Sequence, residues 1–239
     1  MRLQKFLSSK GFGSRRKIEI LIRERRIKVN GKMAEIGHLV SGKEVFLIDG
    51  KELKLDQKEI KHQHLIYNKD KDEICSRSDP ENRKSVFDSL PIIKFKRWVA
   101  VGRLDMATTG LIIFTTDGEL ANNLMHPSKQ IIRTYLVRIF GEPTVNKINK
   151  LKQGIRLEDG FALFQSIEVT SRTKNNTWYK VSLKEGRKHE VRRLWEAVGH
   201  KVNKLIRIEY GPIKLPKSLK RGNYKLLNDK EIKILYEAV

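Results

Sequence analysis

Apolar positions near the start of the chain fall first at helical and then at strand spacing. Leu3, Phe6 and Leu7 recur at i, i+3 and i+4, and Gly11 and Gly13 interrupt them. Ser14 stands where it caps a second helix whose Ile18, Leu21 and Ile22 form one apolar stripe. Ile27 to Asn30 reads as a short strand ending in the turn pair Asn30-Gly31. From Gly50 to about His62 the pattern lapses into Lys, Asp, Gln and Glu, which marks a linker or domain-edge strand and a boundary near residue 60. Beyond it, Leu111 to Phe114 reads as a fully buried strand. Glu119 to Met125 reads as a helix capped by Asp117 and ended by Pro127, Ile132 to Phe140 as an alternating strand, and Val145 to Lys152 as a helix closed by Gly154. Asp159-Gly160 marks a hairpin and Trp178 to Leu183 another strand. Val191, Leu194, Trp195 and Val198 sit at i, i+3, i+4 and i+7 of a helix closed by Gly199. Strands around Lys201 to Tyr210 follow, and Asn228 with Glu231 starts a last helix as a capping pair. This irregular alternation, with no dinucleotide-binding glycine fingerprint, predicts an α+β fold with a mixed, largely antiparallel sheet.

Charge changes the picture. The 239 residues carry 50 Lys and Arg against 28 Asp and Glu, a net of +22, far beyond what solubility needs. Nucleic acid is therefore the first partner to consider and an anionic membrane the second. The first 32 residues hold eleven Lys or Arg against Glu19 and Glu24, a net of +9, and Arg15, Arg16, Arg23 and Arg26 fall largely off the apolar stripe. No segment approaches the roughly 20 apolar residues of a membrane helix, and no amphipathic stretch pairs a basic face with Trp or Phe anchors. Cys75 is the only cysteine, so no intrachain disulfide forms, and a cytoplasmic setting is the expectation. Nothing in the chain demands more than a monomer.

Several chemistries drop out. There is no Walker phosphate loop, no HExxH and no paired CxxC, and His62 and His64 in a charged linker read as solvated, so neither metal nor organic cofactor is expected. The informative stretch is Val101 to Gly118, VGRLDMATTGLIIFTTDG, which sets an acid into a molecule crowded with positive charge. Taken singly, Asp105 reads as a turn former, Arg103 as a surface charge, Arg192 as a phosphate contact and Tyr135 as a strand aromatic with its hydroxyl at the edge.

Together these residues resemble one family. GRLDMATTGLIIFTTDGELANNLMHP is similar to the catalytic loop of the RNA pseudouridine synthases of the RsuA/RluB type, Arg133 to Val137 to their second motif with Arg for Lys, and Glu185 to Arg193 to their third. MRLQKFLSSKGFGSRRKIEILI through IKVNGK resembles the small RNA-binding domain of S-four type that precedes their catalytic domain. The chain departs from the pattern at Asp70 and Asp72, where the family usually has Pro and Gly, at Arg25, where a Gly is common, and at Lys17, where a Glu often completes the helix cap.

The resemblance implies an S-four-like domain over residues 1–60 and a synthase domain over 61–239. It implies isomerisation of a uridine in ribosomal RNA, with the segment Trp195 to Tyr210 resembling the branch that acts on the large (23S) rather than the small (16S) subunit RNA. The catalytic residues it implies are Asp105, Tyr135 and Arg192, with Arg192 paired to Asp105. Arg103 would hold the flipped base out, and Arg15, Arg16, Arg23 and Arg193 would bind substrate. The reaction oxidises nothing and loses no group, so it needs no cofactor. A non-catalytic ribosome-assembly protein is the rival reading; the joint presence of Asp105, Tyr135 and Arg192 in matching motifs speaks against it.

Overall fold

The computed structural model describes residues 1–55, 61–94 and 96–239. The chain resolves into two compact units, one formed by residues 1–62 with 91–98 and 116–118, the other by 63–90, 99–115 and 119–239. The expected boundary at residue 60 lies outside the described residues.

In the first unit, helix α1 (Leu3–Ser9) is followed by α2 (Arg15–Arg23), whose entry is fixed by Ser14 accepting a hydrogen bond from the Lys17 amide at 3.0 Å. The acidic half of that cap is missing because position 17 is a lysine. Strands β1 (Ile27–Val29), β2 (Lys32–Met33), β3 (Phe46–Ile48) and β4 (Lys51–Glu52) make an antiparallel sheet in the order β2-β1-β3-β4. Asn30 and Gly31 both take positive φ, 48° and 78°, as a two-residue hairpin between right-twisted strands requires. Leu3, Phe6, Leu7, Ile18, Leu21, Ile22, Ile27 and Phe46 close the core, while Arg15, Arg16 and Arg23 remain exposed on α2. Arg25, where the family commonly has Gly, holds φ 55°.

The second unit is built on one large sheet. Its elements are β5 (His64–Lys69), β6 (Val99–Val101), β7 (Thr108–Thr115), α3 (Gly118–Met125), β8 (Arg133–Phe140), α4 (Val145–Gln153), β9 (Ile155–Leu157) and β10 (Gly160–Ala162). They continue with β11 (Ser166–Arg172), β12 (Asn176–Leu183), α5 (Glu190–Ala197), β13 (Val202–Tyr210), β14 (Ile213–Lys214), β15 (Tyr224–Leu226) and α6 (Asp229–Glu237). The order is β11-β12-β8-β13-β7-β5-β15, with β14 on β13 and β6 on β7. Among the described strands the pairing of β7 with β13 is parallel and the others are antiparallel, which is the mixed, largely antiparallel sheet expected.

Every residue of β7 is buried, including the apolar run Leu111 to Phe114 at its centre. Leu120, Ala121 and Leu124 of α3 and Leu235 of α6 pack with Ile66, Leu111 and Ile113. Asn228 and Glu231 form the reciprocal capping box at the start of α6. Trp195 of α5 is fully buried, with its ring 5.0 Å from Tyr179 and 6.0 Å from Phe164. A buried anchor of this size costs about 3–5 kcal/mol to replace with Ala, so α5 is firmly seated. No helix among the described residues is long and apolar enough to cross a membrane.

One expectation is corrected. His64 is not a solvated linker residue: it opens β5, is 3% exposed and lies 2.9 Å from the Thr115 hydroxyl. Asp72 takes φ 65°, so the turn after β5 keeps a left-handed residue without the family's glycine.

Candidate active site

The loop Gly102–Ala107 joins β6 to β7, and its backbone is pinned from several sides. Leu104 exchanges hydrogen bonds with the Cys75 thiol, its amide donating at 3.4 Å and its carbonyl accepting at 3.3 Å. The Asp72 amide donates to the Met106 carbonyl at 3.1 Å, and the Thr108 amide closes a turn onto the Asp105 carbonyl at 3.0 Å.

Lys69, at the end of β5 and fully buried, donates to the carbonyls of Asp70, Met106 and Thr108 at 2.9, 3.2 and 3.0 Å. Burial lowers its pKa. Hydrogen bonds from a charged group are worth about 1.5–3 kcal/mol each, so three of them offset much of the several kcal/mol that desolvating an ammonium costs. The loop backbone is thus fixed while its tip stays open: the Asp105 side chain is 46% exposed, and Arg103 is exposed with no ion-pair partner among the described residues.

Tyr135 lies on β8, 7% exposed, in register with Val181 of β12 and Arg207 of β13. Arg207 is in turn in register with Gly110 of β7, five residues beyond Asp105. The Arg207 side chain is 2% exposed; its Nε donates to the Leu111 carbonyl at 2.7 Å, whereas its Nη2 is buried without a partner. The hydroxyls of Thr108 and Thr109, two residues and one residue before Gly110, are also buried and unpaired. Unsatisfied buried polar atoms are rare in folded proteins, and their clustering at the start of β7 fits a region shaped for function.

Helix α5 brings Arg192 to the loop, though not to the carboxylate. Its Nη1 donates to the Val202 carbonyl at 2.9 Å and its Nη2 reaches the Ala107 carbonyl at 3.5 Å. The expected Arg192–Asp105 ion pair is therefore absent here, because two backbone carbonyls take the guanidinium. Among the described residues, the side chain of opposite kind within 4 Å of Asp105 is instead the imidazole of His189, with Nε2 3.4 Å from Oδ1. Reading the sequence passed over His189; its place between Gly186 and Arg192 in the third motif was the available signal.

Arg193 sits with both Nη atoms 2.8 Å from the two oxygens of Asp159, an arrangement that lowers the Asp159 pKa. Its guanidinium is thus occupied by the β9–β10 turn. Arg187 supports the same turn, donating to the carbonyls of Asp159 at 3.2 Å and Phe161 at 2.8 Å. Arg15, Arg16 and Arg23 belong to the first unit.

Comparison with known proteins agrees with this architecture. Residues 63–197 match the RNA pseudouridylate synthase family and residues 1–46 match the S4 domain. The ribosomal large subunit pseudouridine synthase B of Yersinia pestis is 48% identical over 241 residues, covering the whole of this chain and 76% of its own length. The protein of the same name from Haemophilus influenzae is 49% identical, over the whole of this chain and 68% of its own. A solved pseudouridylate synthase superposes with a TM-score of 0.67 at 26% identity, covering 98% of this chain and 99% of that one.

Proposed function

The chain belongs to the RNA pseudouridylate synthase family, and on that premise we propose that it converts a uridine of large-subunit ribosomal RNA to pseudouridine with the Asp105 carboxylate. The observation that carries the reading is a half-exposed acid on a loop whose backbone is held by Lys69, Cys75 and Asp72, in the unit that also holds Tyr135 and Arg192. Likeness along the whole of this chain, at 48% and 49% identity, to two proteins named for that activity supports the substrate.

The reaction breaks the bond between C1′ of the ribose and N1 of uracil, turns the base, and joins C1′ to C5; the proton on C5 is lost and N1 gains one. A single carboxylate suffices, either attacking the sugar or base or removing a proton to give a glycal-like species. Both routes begin from an ionised, oriented Asp105. Arg192 contributes by holding the Ala107 carbonyl, and with it the loop, while placing a fixed positive charge beside it. Tyr135 stacks on the uracil, worth about 1–3 kcal/mol for a base on an aromatic ring. Unstacking the target costs on the order of a few kcal/mol, and the exposed Arg103 helps keep the base out.

The S4-like portion, residues 1–60, supplies affinity through Arg15, Arg16 and Arg23, whereas Arg193, expected from the sequence to bind substrate, holds the β9–β10 turn through Asp159. Binding then weakens by about 0.7–0.9 log units per log unit of salt for each phosphate neutralised. We place the enzyme in the cytoplasm, acting as a monomer without a cofactor.

Mapping pseudouridines in large- and small-subunit ribosomal RNA, with and without the protein, tests the reading. New pseudouridine confined to large-subunit RNA is expected. Modification of small-subunit RNA alone overturns the substrate, and no modification of either overturns the activity.

A further inference from the structure

The Asp105 carboxylate accepts no backbone amide; among the described residues, what reaches it is the imidazole of His189. His189 stands at the N-cap of α5 with φ 53° and ψ 22°, a left-handed conformation that a side chain with a Cβ adopts at a cost, and it makes no capping hydrogen bond of its own. Helix initiation therefore does not account for the residue.

The surrounding contacts enforce that conformation. The Arg187 amide donates to Glu190 Oε2 at 3.0 Å, the Glu190 amide to the Arg187 carbonyl at 3.2 Å, and the Arg193 amide to the His189 carbonyl at 2.9 Å. The bidentate pair of Arg193 with Asp159 and the hydrogen bond from Arg187 to the Phe161 carbonyl tie the segment to the β9–β10 turn. A strained backbone fixed this thoroughly, whose one evident result is to bring an imidazole to a carboxylate oxygen across 84 positions of sequence, points to function.

We propose that His189 is a positioning residue for the isomerisation, holding the Asp105 carboxylate in the rotamer from which it meets the target nucleotide. The proposal rests on Asp105 being the catalytic acid. It also gives the Arg187–Glu190 and Arg193–Asp159 contacts a common purpose, since they fix the backbone from which the imidazole reaches out.

The test uses the full chain with His189→Gly and His189→Asn, both of which accommodate the left-handed backbone. Conversion of large-subunit ribosomal RNA, RNA affinity at fixed salt and melting temperature are measured together. A misplaced reacting group costs up to about a hundredfold in rate, so kcat is expected to fall by about tenfold to a hundredfold with KM unchanged and melting temperature equal to or above the parent's. Free imidazole should partly restore kcat in His189→Gly.

Parental kcat in both variants, a loss confined to KM, or a fall in kcat that follows melting temperature and resists imidazole overturns the proposal. Asp105→Asn is run alongside. If it is inactive while the His189 variants match the parent, only the positioning role fails; if it turns over, the assignment of Asp105 itself fails.

Discussion

Gly110→Ala perturbs the second unit where strand β13 runs close against β7. Gly110 holds φ 103°, and a Cβ there would collide with the Arg207 carbonyl oxygen and come within 2.9 Å of the Arg207 nitrogen and 3.1 Å of its carbonyl carbon. These are backbone atoms of the neighbouring parallel strand, so no side-chain rotation relieves the clash. A non-glycine residue in that region of φ costs about 1–3 kcal/mol, and forcing extra volume into a packed core about as much again, giving roughly 2–6 kcal/mol. A domain of this size shifts by about 2–4 °C for each kcal/mol, so melting should fall by roughly 5–20 °C by calorimetry. Gly118→Ala is the control: an added Cβ there meets nothing within 4 Å, and its melting temperature should stay level or rise. Pseudouridine formation should fall in Gly110→Ala even below its melting range, because Arg207 is in register with both Gly110 and Tyr135. Melting within about 2 °C of the parent would refute the steric argument.

Other perturbations separate structural from functional roles. Arg193→Ala frees Asp159, so by calorimetry it should slightly lower the melting temperature of the second unit, the pair being partly solvent-exposed; a loss of RNA affinity without destabilisation would instead make Arg193 a substrate contact. In the first unit, backbone amides at Ser41 and Gly42 hold the Glu44 carboxyl at about 2, down from 4.5. Because the folded pKa is the lower one, its contribution to stability is complete above 4.5 and fades as pH falls toward 2. Glu44→Gln should flatten that part of the acid unfolding curve, and an unchanged acid limb would contradict this. Arg25→Gly removes a left-handed side chain with no other residue disturbed and should raise the first unit's stability by up to about 1 kcal/mol in denaturant unfolding.

Periodic elements were legible in the sequence because their cause is local. The stripe Ile18, Leu21, Ile22, the pair Asn30-Gly31 and the box Asn228/Glu231 each record nearby geometry, and each appears where the pattern places it. Strand β11 escaped because it is an edge strand with mostly exposed residues, so no buried alternation marks it. Lys69 escaped for a different reason: composition puts a lysine at the surface, and two of the three carbonyls that make its burial tolerable, those of Met106 and Thr108, lie far along the chain.

The same distinction governs the site. Motif resemblance singled out Asp105, Tyr135 and Arg192, but the carbonyls that hold Arg192 and the imidazole that reaches Asp105 are set by tertiary contacts no spacing encodes. The clustering of residues 91–98 and 116–118 with the first unit is likewise a tertiary fact, invisible to a boundary drawn from composition.

The most direct test of the account compares the parent chain with Asp105→Asn on large-subunit ribosomal RNA, counting pseudouridine formed per enzyme and measuring RNA affinity at one fixed salt concentration. Since the substitution removes the charge and keeps the shape, the account predicts no product with affinity within about twofold, a change of under half a kcal/mol. Sustained conversion by Asp105→Asn would contradict it.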